Sequence, residues 1–314
     1  MLNRSIVLVV SLMAVLTLSF SVFAQTAQSH QPGAAKPEKQ ASGPALRHDI
    51  SGNWVPAASP TALNQTMGVL AAPNDGKPGR PQLPYTPYGL QSYKSHKALE
   101  GVDSAAENGE FRGTQDSNTD FNDPRELCEP LGFPRMNHYH VGQTAIFQSE
   151  FSIAMLYQND QRYRLIWTDG RDVPTLVDGG VHLGKGWAKD SNTDQESQFY
   201  GYSVGKWADD TTLVVDTLGT MPEDRVWLDE TGRPISNQLH VTETFHRVDH
   251  DHMEWTEMIN DPKMYTKPWV TMKAALKLTD PHQNPSVIIC SPVEIAKYYE
   301  LYGNPASGVN GSKK

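Results

Sequence analysis

The sequence predicts an all-β protein in which about eight or nine antiparallel strands close into an up-and-down barrel, with a two-sheet β-sandwich as the alternative. Between residues 143 and 280, segments rich in Val, Ile, Thr, Tyr, Phe and Trp alternate with clusters of Asp, Asn, Gly and Pro. Most neighbouring segments are separated by a few turn residues, so they pair antiparallel, because a parallel pair needs a crossover of about a dozen residues. Sequential antiparallel strands protect their edges best when the sheet closes on itself.

Each strand follows from its local composition. The first is predicted around Gly52-Asn53-Trp54, and the turn Asp209-Asp210 joins two later strands tightly. The predicted strands are residues 49–55, 143–149, 151–158, 162–169, 198–208, 211–218, 238–249, 252–260 and 270–279. Short helices are predicted near residues 89–99 and 293–301.

The first 24 residues have the organisation of a secretory signal peptide. One cation, Arg4, precedes an apolar run that begins at Ile6, and Val22 and Ala24 are small residues at the positions that signal peptidase reads. The sequence therefore predicts cleavage after Ala24 and a periplasmic or secreted protein. The alternative is an uncleaved anchor, since a run of about 17 apolar residues nearly spans a bilayer.

Composition limits the classes of partner. With 38% hydrophobic and 20% charged residues, the chain has the balance of a globular protein. Removal of residues 1–24 would leave 26 basic against 36 acidic residues and a net charge of −10. This acidic balance argues against a nucleic acid, whose phosphates select an excess of Lys and Arg, and against binding to an anionic membrane after signal cleavage.

The mature chain is predicted to hold one folded domain. Residues 25–48 form a flexible linker of Gln, Ala, Pro, Ser and Lys, residues 49–302 form the barrel domain, and residues 303–314 form a disordered tail. Residues 56–126 are a loop-rich insertion that wraps the barrel or covers its mouth.

The two cysteines are predicted to pair. Export places Cys128 and Cys290 in an oxidising compartment, where a bridge stabilises the fold, and two separate free thiols are the alternative.

Strand alternation places three carboxylates on apolar stripes. On strand 162–169 the predicted inward face contains Tyr163, Leu165 and Trp167. A buried acid must be paired, hydrogen-bonded or protonated, so such acids form either a functional acid–base set or internal salt bridges that hold the strands in register. The three acids are Asp169, Glu243 and Glu257.

No metal or cofactor is predicted. His138 and His140 have a spacing that metal sites use, but the next acid is Glu150, and no His-Glu-x-x-His or Cys-x-x-Cys occurs. No glycine-rich phosphate loop opens a helix. The run from Gly201 to Gly205 has the letters of a nucleophile elbow but lies inside a predicted strand, whereas that elbow needs a strand-to-helix turn.

Three functional hypotheses follow. The first is a barrel that binds a small, partly apolar molecule. The second is a cofactor-independent lyase, isomerase or hydrolase that uses the three barrel acids as acid and base. The third is an envelope protein with a filled core. The predicted ligand-contacting residues are Arg135, Tyr163, Trp167, Arg171, Tyr202 and Trp255.

Several motifs resemble a family of exported bacterial proteins of unknown function. They are Ile166-Trp-Thr-Asp-Gly-Arg171, Gly205-Lys-Trp207, Asp210-Thr-Thr-Leu-Val-Val-Asp-Thr217, Cys128-Glu-Pro-Leu-Gly-Phe-Pro-Arg135 and Asp261-Pro-Lys-Met-Tyr-Thr-Lys-Pro-Trp269. The resemblance covers most of residues 122–269 and implies no activity. Relatives often have Gly-His-Ser where this chain has Gly201-Tyr202-Ser203, so any role of that His does not carry over. Gly52-Asn53-Trp54 also resembles the Gly-x-Trp that opens lipocalin-type barrels.

Overall fold

The computed structural model describes residues 43–57, 83–96, 123–138, 142–158, 162–187, 194–222, 224–229, 232–271, 273–280, 282 and 289–293. The chain divides into two units, and the unit Met1–Ala41 lies wholly outside the described residues. The same is true of the predicted signal peptide, nearly all of the linker, the tail, most of the insertion and most of the helix predicted at 293–301. In the described ranges, no helix has the length and apolar character needed to cross a membrane.

The described part of the unit Ser42–Lys314 is mostly β-structure. Its strands are β1 (Gly52–Pro56), β2 (Thr144–Gln148), β3 (Ser152–Tyr157), β4 (Tyr163–Trp167), β5 (Thr175–Val177), β6 (Gly180–His182), β7 (Asp194–Glu196), β8 (Tyr202–Trp207), β9 (Thr212–Leu218), β10 (His240–Arg247), β11 (His252–Asn260), β12 (Trp269–Val270) and β13 (Ala274–Leu278). Two helices, α1 (Pro87–Ser95) and α2 (Arg135–His138), and a 3₁₀ turn (Pro124–Leu127) accompany them. The α1 helix begins before the predicted residue 89 because the Thr86 side chain caps it by accepting from the Gly89 amide.

Nine of the strands close into a barrel, which confirms the predicted fold class. Their order is β10, β9, β8, β4, β3, β2, β1, β13 and β11, and the ring closes because β10 also pairs with β11. β12 adds to β11 outside the ring, and β5, β6 and β7 form a separate three-stranded sheet.

One contact between neighbouring strands of the barrel, that of β4 with β8, differs from the up-and-down pattern, and we call it the seam. β4 and β8 are parallel and pair only through Ile166 with Ser203 and Trp167 with Val204. Between these strands the chain runs through residues 168–201, which is long enough for a crossover and contains β5 to β7. The residues of β5, β6 and β7 lie between the predicted strands 162–169 and 198–208, where no strand was expected from the sequence.

The barrel core consists of two apolar clusters with a polar layer between them. Trp54 and Phe245 belong to one cluster, and Phe133 and Val241 belong to the other. Glu243 lies between Val241 and Phe245 on the inward face of β10 and is fully buried. The position of the polar layer is therefore set by the alternation of this one strand.

Arg247 on β10 contacts the chain around β1 at the Trp54 end of the core. The Arg247 guanidinium lies 5.3 Å from the centroid of the Trp54 ring and donates to the Asp49 carbonyl oxygen at 2.9 Å. The Trp54 indole in turn donates to the Ile50 carbonyl oxygen at 2.9 Å. These contacts join β10 to the chain just before β1.

The predicted disulfide between Cys128 and Cys290 is present, with 5.5 Å between the two Cα atoms. It links the segment before α2 to a position 162 residues further along the chain. A disulfide of this kind indicates an oxidising compartment.

Candidate functional site

Two glutamates meet in the polar layer of the barrel. Glu243 on β10 pairs directly with Glu257 on β11, and both side chains are fully buried on the inward face. Like charges directly opposite each other on neighbouring strands are destabilising, so this pair needs compensating cations and donors. Their inward direction agrees with the strand alternation in the sequence.

Arg164 on β4 supplies the main compensation for Glu243. Its guanidinium binds the carboxylate with both terminal nitrogens, and Nη1 donates to Oε1 at 3.0 Å. Nε donates to Ser203 Oγ at 3.0 Å, and Nη2 also donates to Thr217 Oγ1 at 2.7 Å. The face of the guanidinium lies 4.0 Å from the centroid of the Phe133 ring. Arg164 is thus held from four sides at 1% exposure.

The short helix α2 supplies the remaining partners, because all four of its side chains are buried. Asn137 Nδ2 donates to Glu243 Oε1 at 3.1 Å and to Glu257 Oε1 at 2.9 Å. His138 Nε2 lies 2.5 Å from Glu257 Oε2. Two acids, an arginine, a histidine and a bridging amide therefore form one cluster, which we call the charge cluster: Arg164, Glu243, Glu257, Asn137 and His138.

The environment of the charge cluster changes several pKa values. Burial raises the pKa of the Glu243 carboxyl, and Arg164 and Asn137 offset this only in part. Burial opposes the charged form of His138, but its contact with Glu257 and the nearby charges of Asp229 and Glu243 raise its pKa above the usual 6.5. Burial also raises the pKa of the neighbouring Tyr157 to about 12.

The cavity inside the barrel is small. It has a volume of about 40 Å³ and is lined mainly by apolar side chains such as Trp54 and Met155. That space holds a few water molecules and falls well below the roughly 300 Å³ of a typical ligand pocket. Asn137 and Tyr157 reach its wall, whereas neither carboxylate of the charge cluster does.

The structure reverses the predicted face of β4. Tyr163 is 68% exposed, whereas Arg164 and Ile166 are buried, so Tyr163, Leu165 and Trp167 point outward. The prediction that the aromatic face of β4 points inward was therefore wrong, and Arg164 was not among the predicted site residues. The sequence did contain a signal for Arg164, namely the predicted pair of buried acids. A buried pair of like charges requires a cation on a facing strand.

Asp169 consequently does not join the other two acids. Arg171 donates to its two carboxylate oxygens at 2.9 and 2.7 Å, which lowers the pKa of Asp169. This pair lies at the surface, just after β4.

A larger cleft lies outside the barrel, where β4 and β8 separate. Its volume is about 680 Å³, within the usual range of about 300–1,000 Å³ for small-molecule sites. Arg164 and Ser203 lie at its barrel side. We call it the seam cleft, and its aromatic lining residues are Tyr163, Trp167, Trp187, Phe199, Tyr200 and Tyr202.

One wall of the seam cleft is rigidly built. The Arg171 guanidinium lies 3.6 Å from the centroid of the Trp167 ring and 4.5 Å from that of Trp187. The Trp187 ring meets Tyr202 edge to face at 5.9 Å, and the Tyr202 hydroxyl donates to the Glu196 carbonyl oxygen at 2.9 Å. Side chains held in this way lose little conformational entropy when a ligand binds.

The predicted ligand-contacting residues therefore divide between two places. Tyr163, Trp167 and Tyr202 line the seam cleft, and Arg171 stacks on its wall, outside the barrel and not inside it as expected. Arg135 and Trp255 remain in the interior. Arg135 binds the buried Asp123 through two hydrogen bonds of 2.6 Å, and the Trp255 ring packs 6.2 Å from that of Phe245.

Two other features of the described residues do not form a comparable site. Another open cleft, of about 730 Å³, lies near His240 and Leu176 and has no Phe, Trp or Tyr in its lining. No group of three His, Cys, Asp or Glu side chains in the described ranges is arranged to hold a metal ion, and His140 lies outside those ranges.

Comparison of the chain with protein-family models, curated proteins and solved structures found no match. The resemblance to a family of exported bacterial proteins therefore stays a prediction.

Proposed function

We propose that the protein is an exported, periplasmic or secreted, binding protein that takes a small, partly apolar molecule into the seam cleft. The observation that supports this proposal is the cleft, which has a volume of about 680 Å³ and is lined by six aromatic side chains. Aromatic walls provide a large apolar contact, and a few fixed polar groups orient the ligand. Ser203 and Gln198 offer such groups beside the rings.

The compartment supports the same proposal. The disulfide indicates an oxidising environment, and the first 24 residues have the composition of a signal peptide. A binding protein in such a compartment meets small molecules outside the cytoplasm.

The enzyme hypothesis has less support from the described geometry. Glu243 and Glu257 are occupied by Arg164, Asn137 and His138, and neither acid reaches the cavity or the seam cleft. A general acid or base must come within hydrogen-bond reach of its substrate. The contacts instead favour a structural role, in which the charge cluster fixes α2 against the strands.

The test is ligand retention by matched variants. The mature protein is purified under native conditions, and small molecules that remain bound are identified by mass spectrometry. Tyr163→Ala removes an exposed ring from the cleft, and Phe147→Ala removes a ring of similar exposure, 61% against 68%, from outside it.

We expect Tyr163→Ala to weaken retention about tenfold, the loss that corresponds to about 1.4 kcal/mol of aromatic contact. Phe147→Ala should retain the ligand as the wild type does. Equal retention by both variants, or a bound molecule that neither variant affects, would refute the assignment of the cleft.

A further inference from the structure

The charged side chains that line the seam cleft are all cationic. Among its described lining residues are two arginines, Arg162 and Arg164, and no Asp, Glu, Lys or His. Arg164 is neutralised by Glu243 inside the barrel. The Arg162 side chain is exposed and forms no hydrogen bond or ion pair with any residue that the structure describes. The cleft therefore presents one uncompensated positive charge to a ligand.

The aromatic wall alone would fit either an organic cation or the apolar body of an anion. An organic cation binds to the faces of aromatic rings, but the Arg171 guanidinium already lies 3.6 Å from the centroid of Trp167 and 4.5 Å from that of Trp187. Asp169 binds Arg171 through two hydrogen bonds, so its charge is already compensated. A second cation would meet the like charge of Arg162, and the lining therefore favours an anion.

We propose that the ligand of the seam cleft is a small aromatic carboxylate that pairs with Arg162, which rests on and deepens the function proposed above. A guanidinium binds a carboxylate through two parallel hydrogen bonds, so it fixes the plane of the acid as well as its charge. Tyr163 follows Arg162 directly in the chain and is 68% exposed. The cation and the first ring of the aromatic wall are thus neighbours, which suits an acid attached close to a ring.

The remaining polar groups of the cleft limit the charge of the ligand to one. The nitrogens of Arg164 already donate to Glu243, Ser203 and Thr217. Gln198 is neutral, and its amide nitrogen donates to the Tyr202 hydroxyl at 2.9 Å. A dianion such as a phosphate ester would therefore leave its second charge without a cation in the described lining.

The test compares three probes of similar shape and different charge: cinnamate, cinnamamide and cinnamylammonium. Their binding to the full mature chain is measured by isothermal titration calorimetry at low ionic strength and in about 1 M NaCl, where the Debye length is about 3 Å. Arg162→Gln removes the cation and keeps a polar side chain. The matched control Lys206→Gln removes an exposed positive charge on β8 that does not line the cleft.

We expect cinnamate to bind about fivefold more tightly than cinnamamide at low ionic strength, which is the upper range for an ion pair with an exposed partner. This preference should vanish in Arg162→Gln and in the concentrated salt, and Lys206→Gln should keep it. Cinnamylammonium should bind most weakly. Equal binding of cinnamate and cinnamamide, a preference that survives Arg162→Gln, or tightest binding of the cation would overturn the carboxylate inference.

The variant Tyr163→Ala separates this failure from failure of the proposed function. If it weakens the binding of all three probes and their charge makes no difference, the cleft binds small apolar molecules and only the carboxylate inference is wrong. If it weakens the binding of no probe, both the cleft assignment and the carboxylate inference are wrong.

Discussion

Removal of the Arg164 charge tests the charge cluster most directly. Arg164→Met keeps much of the side-chain volume but leaves Glu243 buried without its cation, and also removes donors from Ser203 and Thr217. Breaking a buried ion pair on one side costs about 3–5 kcal/mol, because the remaining charge is uncompensated. Asn137 still donates one hydrogen bond to Glu243, so we expect the lower half of that range.

The assay is urea unfolding of the mature chain, followed by tryptophan fluorescence. In the double variant Arg164→Met/Glu243→Leu both charges are absent, and we expect most of the loss to be recovered, to within about 1–2 kcal/mol of wild type. Arg47→Met is the matched control, since Arg47 pairs with Asp210 at the surface and its loss should change stability by less than about 0.5 kcal/mol.

Two results would refute the reasoning. A cost for Arg164→Met no greater than that for Arg47→Met would mean that the cation does not stabilise the buried acid. A double variant that is less stable than Arg164→Met would mean that Glu243 stabilises the fold without Arg164.

Three further predictions concern stability. The pKa of His138 is raised in the folded state, so protonated His138 stabilises the fold fully below about pH 6.5, and this stabilisation is lost as the pH rises through the higher folded-state pKa. The free energy of unfolding, measured with urea, should therefore fall above about pH 6.5. In His138→Gln this fall should be smaller. The Cys128→Ser/Cys290→Ser variant should lose about 5 kcal/mol of unfolding free energy in the chain-entropy model, and an unchanged urea midpoint would contradict this. Gly132 and Gly179 both have positive φ, but a Cβ at Gly132 would lie 2.5 Å from Val226, whereas one at Gly179 would meet nothing within 4 Å. Gly132→Ala should therefore lower the free energy of unfolding more than Gly179→Ala does. The loss for Gly179→Ala should stay at about 1–2 kcal/mol, which is the backbone strain alone.

The barrel could be predicted because its signal is local. Strands such as β10 and β11 alternate strictly, and a short turn forces them to pair antiparallel, as residues 240–247 and 252–260 do. The same alternation placed Glu243 and Glu257 on the inward face. The disulfide was predictable for a different reason, since a pair of cysteines in an exported chain has one possible partner each.

The seam between β4 and β8 could not be predicted from local patterns. The pairing of Ile166 with Ser203 depends on how residues 168–201 pack as a crossover, and nothing within either strand specifies a parallel neighbour. The prediction of which face of β4 points inward was wrong for a related reason. Alternation gives two faces but not which is inside, and the aromatic face of this strand serves the cleft while the inward face carries Arg164.

Arg164 connects the interior and the seam cleft. Its guanidinium is fixed by Glu243, Thr217 and the Phe133 ring, and its bond to Ser203 crosses the seam from β4 to β8. The floor of the cleft is therefore anchored to the most buried charges of the barrel. Under the proposed function, a ligand at this side of the cleft would meet groups that are already ordered, so its binding would not have to immobilise them. Under the proposed function, the charge cluster contributes without chemistry of its own, because Arg164 ties β4 to β8 through Ser203 and so fixes the barrel side of the cleft.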